Sequence, residues 1–186
     1  RGNYKETDIP NPLNTYAKSK LAGEQAVAQA NPEAAIARVV FYGWSLTGTR
    51  SLAEFFYNNL TASKPVNGFT DMFFSPLYVA HLAEALLEML QKHLSGIYHV
   101  YAPESLSKYD FGVRLAREFG LDASLIHPIS ALDSDLLARR SLNLSMNTNK
   151  LQAALGKPLP SQAEGLRALH ADLDSGLRQK LLSFSH

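Results

Sequence analysis

The chain has 186 residues, 46% of them hydrophobic and 19% charged, with a net charge of +1, enough for one sizeable core and a small second lobe. It has no cysteine, which excludes disulfides, thiolate metal sites and a cysteine nucleophile. No basic stripe suggests a nucleic-acid footprint, and no apolar run approaches the ~20 residues of a membrane span.

Residues 1–13, "RGNYKETDIPNPL", read as a proline-punctuated loop without the apolar region of a signal peptide. Asn14 or Thr15 then offers an N-cap, and residues 16–30 are rich in good helix formers. "AAIARVV", 34–40, is a short apolar run of strand length, suited to burial on both faces. "FYGWSLTGTR" reads as a loop, and residues 51–63 as a helix capped by Ser51. Residues 64–76 form a turn-rich connection with short extended pieces. In the helix expected over 78–93, Val79, Leu82, Ala83, Leu86, Leu87 and Leu90 make one apolar stripe.

"GIYHVYA", 96–102, reads as a second strand, followed by a helix over 107–120 that Gly120 closes. "SLIHPIS" is extended, and residues 133–140 read as a helical turn. A short helix over 147–156 ends at Gly156, and a terminal helix over 161–182 breaks near Gly176. Helices alternating with short apolar strands give an α/β fold with a largely parallel sheet. Two strong strands are few for a self-sufficient sheet.

"NTYAKSKLAGEQAV", residues 14–27, places Tyr16 four residues before Lys20, on one helix face. The spacing alone allows two readings: a proton-donating tyrosine with its lysine partner, or an exposed tyrosine and a solvated lysine. The flanking sequence separates them. "RGNYKETDIPNPLNTYAKSKLAGEQAV" resembles the Tyr-x-x-x-Lys region of the extended short-chain dehydrogenase/reductases, and within them the dTDP-4-dehydrorhamnose reductase group. "ARVVFYGWS", "FFSPLYVAHLAEAL", "GIYHVYAPESLSKYDFGVRLAREFGLD" and "RRSLNLSMNTNKLQAALGKPLP" continue the resemblance in order along nearly the whole chain.

The resemblance implies the carboxy-terminal part of a Rossmann-type doubly wound fold, interleaved with a small α/β substrate-binding lobe, as a single unit over residues 1–186. The Gly-x-x-Gly-x-x-Gly turn that brings a backbone close to a pyrophosphate does not occur among the 11 glycines. The family's catalytic Ser/Thr is absent too, so the amino-terminal half of the nucleotide fold is expected to lie outside the chain. The chain alone is therefore expected to be inactive and to hide apolar surface by self-association or rearrangement.

The implied activity is NAD(P)-dependent reduction of a 4-keto sugar nucleotide in cytoplasmic synthesis of cell-surface sugars, by a homo-oligomer. Tyr16 is the expected proton donor and Lys20 its partner, both also touching NADP or NAD. An ammonium beside a phenol favours the phenolate, which suits acid–base work. Val39 and Val40 are cofactor-side candidates, standing where relatives often carry polar residues. Trp44, with Tyr42, is a candidate for the sugar pocket or for the core. Arg140, with Arg139, is a candidate for the diphosphate, which guanidinium geometry matches, or a surface arginine. Arg38 reads equally as a buried ion-pair partner. His81 stands where many relatives carry an acidic residue, and Ser19 reads as helix surface. The six histidines show no metal-ligand spacing. An epimerase or dehydratase of the same fold, and a non-catalytic nucleotide-binding subunit, are the competing readings.

Overall fold

A computed structural model describes residues 2–133 and 141–184. Helix α1 (Thr15–Ala30) leads into strand β1 (Ala35–Val39), which pairs in parallel with β6 (Gly96–Val100). Side chains alternate across a strand, so this pair has two distinct faces. Ala37 and Val39 of β1, with Tyr98 and Val100 of β6, pack with Leu82, Ala85 and Met89 of α3 (Val79–Gln91) and with Leu151 and Leu155 of α5 (Asn149–Leu155). The intervening Arg38 looks the other way, toward Glu24 of α1. Helices thus cover both faces of a parallel pair, as in a doubly wound fold.

The stripe expected on α3 is corrected by this packing. The core-facing row is Leu82, Ala85 and Met89, whereas Leu86, Leu87 and Leu90 are 39%, 59% and 72% exposed. The helix carries apolar residues on two sides, and composition alone does not say which side meets the sheet.

A second core forms the lobe. It gathers α2 (Leu52–Thr61), α4 (Lys108–Glu118), α6 (Gln162–Asp174) and α7 (Leu177–Ser183) around the parallel pair β3 (Val66–Phe69) and β8 (Ile126–Ile129). Phe111 lies at its centre, with ring centroids 5.0 Å from Tyr42 and 5.7 Å from Phe74. Two-residue pairings stitch lobe to sheet: β2 (Phe41–Tyr42) with β5 (Leu77–Tyr78), and β4 (Phe73–Phe74) between β7 (Leu106–Ser107) and β9 (Asn143–Leu144). Gly156 and Gly176, at φ +77° and +79°, end α5 and separate α6 from α7, where an L side chain would be strained.

Caps set the helix starts. Asn14 Oδ1 accepts the Ala17 N–H at 2.9 Å. Ser51 and Glu54 form a reciprocal capping box, and the fully buried Glu54 carboxylate does more than cap. It accepts the backbone N–H groups of Ser45, Arg50 and Ser51 at 2.6, 2.9 and 3.0 Å, and the Ser45 hydroxyl. One side chain therefore folds the loop between β2 and α2. Glu54→Ala leaves several of those donors unpaired and is expected to cost about 2–3 kcal/mol, read as a lowered denaturation midpoint.

Candidate functional site

The amino end of α1 carries the candidate chemistry. Tyr16 is the second helical residue and Lys20 follows one turn later. Lys20 Nζ lies 5.5 Å from the centroid of the Tyr16 ring, within cation–π reach. Tyr16 is 71% exposed and Lys20 is exposed. Among the described residues no hydrogen bond or ion pair occupies the Tyr16 hydroxyl or the Lys20 ammonium, which leaves a phenol and an ammonium side by side and open to a ligand. Ser19, between them, spends its hydroxyl on the Tyr16 carbonyl at 2.8 Å.

Topology places this pair. Only residues 31–34 separate α1 from β1, so the helix runs back along the strand and its amino end rises past the strand's carboxyl end. That end of a parallel sheet is where open α/β folds bind ligands. Val39 closes β1 there, half-buried and packed toward α3. Val40 is half-buried and accepts the Leu77 N–H through its carbonyl at 2.9 Å.

Other candidates fall elsewhere. Trp44 is 8% exposed, and its indole N–H donates to the Leu169 carbonyl at 3.1 Å. Arg178 lies 5.4 Å from its ring, so Trp44 and the buried Tyr42 sit in the lobe core. Arg139 and Arg140 lie outside the described residues. His81 is half-buried, its ring edge-on to Tyr78 at 5.3 Å. No cluster of His, Asp or Glu among the described residues has the arrangement of a metal site, and no helix among them is long and apolar enough to cross a membrane. A cavity of about 660 Å³ lies at the opposite end of α1, lined among others by Lys5, Ala28, Ile36, Ile97 and Lys150. Ala28 stands about 18 Å along the helix from Tyr16, so this space is distinct from the tyrosine–lysine end.

Arg38 is an ion-pair partner. Its Nε and Nη2 donate to the two Glu24 carboxylate oxygens at 2.8 and 2.5 Å, a fork-to-fork geometry. The Glu24 hydrogen bond, the largest cause, raises the Arg38 pKa above its ordinary value, so the guanidinium stays charged. Arg38 Nη1 also lies 3.4 Å from His99 Nε2, and His99 Nδ1 lies 3.3 Å from the Asn147 carbonyl. Both contacts are satisfied only when the imidazole is neutral with its proton on Nδ1.

Burial holds the His99 pKa below the usual histidine value. Glu6 opposes that shift and Arg38 reinforces it. The unfolded chain therefore binds the proton more readily, and stability is expected to fall as pH drops from about 6.5 toward the folded-state value. His99→Gln is expected to flatten that slope in melts recorded between pH 7 and pH 5. The Glu6 and His99 contacts, like the Glu54 hub, escape sequence reading, although "SLAE" at 51–54 carries the capping-box signature.

Residues 1–175 match the family described as the RmlD substrate binding domain. The chain belongs to that family. A probable low-salt glycan biosynthesis reductase of Haloferax volcanii is 33% identical over 173 residues, covering 91% of this chain and 58% of the relative. Methionine adenosyltransferase 2 subunit beta of Xenopus tropicalis is 34% identical over 136 residues, covering 68% of this chain and 40% of that protein. Among solved structures, dTDP-4-dehydrorhamnose reductase of Bacillus anthracis in complex with NADP superposes with a TM-score of 0.84 at 26% identity, covering 91% of this chain and 59% of that one. This RmlD-type chain thus spans between two fifths and three fifths of the length of these relatives. The superposition agrees with a partial Rossmann-type architecture joined to a lobe.

Proposed function

We propose that the chain provides the proton-donating face and the substrate-binding lobe of an NAD(P)-dependent reductase of 4-keto sugar nucleotides. The observation that carries this reading is the Tyr16–Lys20 pair, stacked at 5.5 Å and open at the amino end of α1. Family membership and the NADP complex of the Bacillus anthracis reductase support it.

The donor set fits a nicotinamide dinucleotide: a phenol to face a carbonyl and an ammonium to meet a ribose. The cofactor, when bound, would supply hydride to the carbonyl carbon. Tyr16 gives its proton to the carbonyl oxygen, and the Lys20 charge favours the phenolate left behind. Val39 and Val40, at the end of β1, are the cofactor-side residues in this reading and would offer an apolar edge to a bound nicotinamide. Arg140 is the proposed diphosphate contact, and Trp44 acts from within the lobe by shaping its wall. The site belongs to a homo-oligomeric enzyme of the cytoplasm in this reading.

The test is the intact protein with NADPH and a dTDP-4-keto-6-deoxy sugar. Loss of NADPH absorbance with formation of the reduced sugar is expected, and no consumption across nucleotide sugars overturns the reading. A second reading rests on the relatives named as a methionine adenosyltransferase subunit. It takes the chain to be part of a non-catalytic subunit, and predicts dinucleotide binding and a stable complex with a partner enzyme, without turnover.

A further inference from the structure

We infer that the Glu24–Arg38 pair is the positioning device for the Tyr16–Lys20 face, setting the rotation of α1 on the sheet. The inference rests on the reductase reading for its catalytic consequence.

Within these 186 residues, helix α1 gains little anchoring from apolar packing. Its 16 residues include none that is buried. On its inward side Ala17, Leu21 and Glu24 are only half-buried, while Val27 is 49% exposed. Beyond Glu24, Ala28 lines the cavity of about 660 Å³ together with Ile36 and Ile97. An amphipathic helix ordinarily owes its place to a buried stripe, and here that stripe is thin.

The charged tie links α1 directly to β1. A bidentate guanidinium–carboxylate pair fixes distance and orientation together. Its side chains are 22% and 15% exposed, so solvent screens it less than a surface pair. Arg38 is held in turn, on β1 by the strand and beside it by His99, whose own ring leans on the Asn147 carbonyl and whose backbone N–H is taken by Glu6 at 3.0 Å. Glu24 lies one turn past Lys20 and about 12 Å along the helix from Tyr16. With side-chain tips about 6 Å from the helix axis, a rotation of about 10° moves the Tyr16 tip by about 1 Å. A displacement of that size costs about 100-fold in a well-aligned reaction.

The test uses the intact protein with Glu24→Gln, Arg38→Met and the exchanged pair Glu24→Arg/Arg38→Glu. Amide hydrogen exchange by mass spectrometry reports residues 15–30 separately from the lobe, and steady-state kinetics report kcat and KM. The expected result for each single variant is about tenfold faster exchange confined to α1. With it kcat should fall 10- to 100-fold at nearly unchanged KM for the sugar nucleotide, and the exchanged pair should recover part of both. Unchanged exchange in α1, exchange that rises equally in every element, or faster α1 exchange with wild-type kcat overturns the inference. If the wild-type protein turns over no nucleotide sugar, the reductase reading fails instead, and the exchange arm alone decides whether the pair sets α1.

Discussion

Tyr16→Phe in the intact protein is expected to lower turnover by about 100- to 10,000-fold, the range that a positioned acid or base contributes, with dinucleotide affinity nearly intact. The substitution removes one hydroxyl and leaves the ring, so the Lys20 ammonium keeps its aromatic neighbour at the carbon face. Tyr16 is 71% exposed, and a surface change of this kind shifts stability by about 0.5 kcal/mol or less. A melting temperature equal to wild type therefore separates lost chemistry from lost folding. Lys20→Ala is expected to weaken both cofactor affinity and kcat, because the ammonium serves both. Wild-type kcat for Tyr16→Phe with a 4-keto sugar nucleotide would remove the tyrosine from the reaction.

Phe111→Ala is expected to destabilise the protein by about 3–5 kcal/mol. Phe111 is fully buried, with Tyr42, Phe74 and Phe56 at centroid distances of 5.0, 5.7 and 6.5 Å. Side chains from β2, β4 and α2 meet at that ring. Since domains are stable by only about 5–15 kcal/mol, the loss is a large share of the total. Urea denaturation should show a lower midpoint at constant slope, and a shift below about 1 kcal/mol would place the lobe's centre elsewhere.

The parts of this molecule that were legible in the sequence are those with local signals. Helix α1, with Asn14 as its cap, follows from side chains within one turn, as do the break at Gly176 and the stop at Gly156. Strand β1 follows from an apolar run at a strand's length. The Tyr16–Lys20 face needs only helical spacing. What was not legible depends on partners far along the chain. The two-residue strand β4 is too short to show a period, and it exists because Phe73 meets Ser107 and Asn143. Trp44 reads as either a pocket or a core aromatic, and the Leu169 carbonyl, 125 residues on, takes its N–H and places it in the core. The outer leucines of α3 look like core by composition, and only the docking of Leu82, Ala85 and Met89 on the sheet turns them outward. An ion pair was one of the readings open to Arg38, but Glu24 was not legible as its mate, since that depends on how α1 lies across the strand.

The short segment before α1 gives the parallel pair a direction of growth. Tyr4 forms a bridge with Met146, Glu6 takes the outward N–H of His99, and Lys150 donates to the Ile97 carbonyl at 2.6 Å. The free margin of β6 is thus stoppered by a carboxylate and an ammonium, two charges that a newly arriving strand would have to displace and strip of water. Strand β1 pairs with β6 alone, and its other margin carries no such stopper among the described residues. Any further strand, from whatever source, finds one side of this ribbon sealed and the other receptive. The pair can therefore be extended only on the side of α1's own strand, like a zipper with its stop sewn at one end.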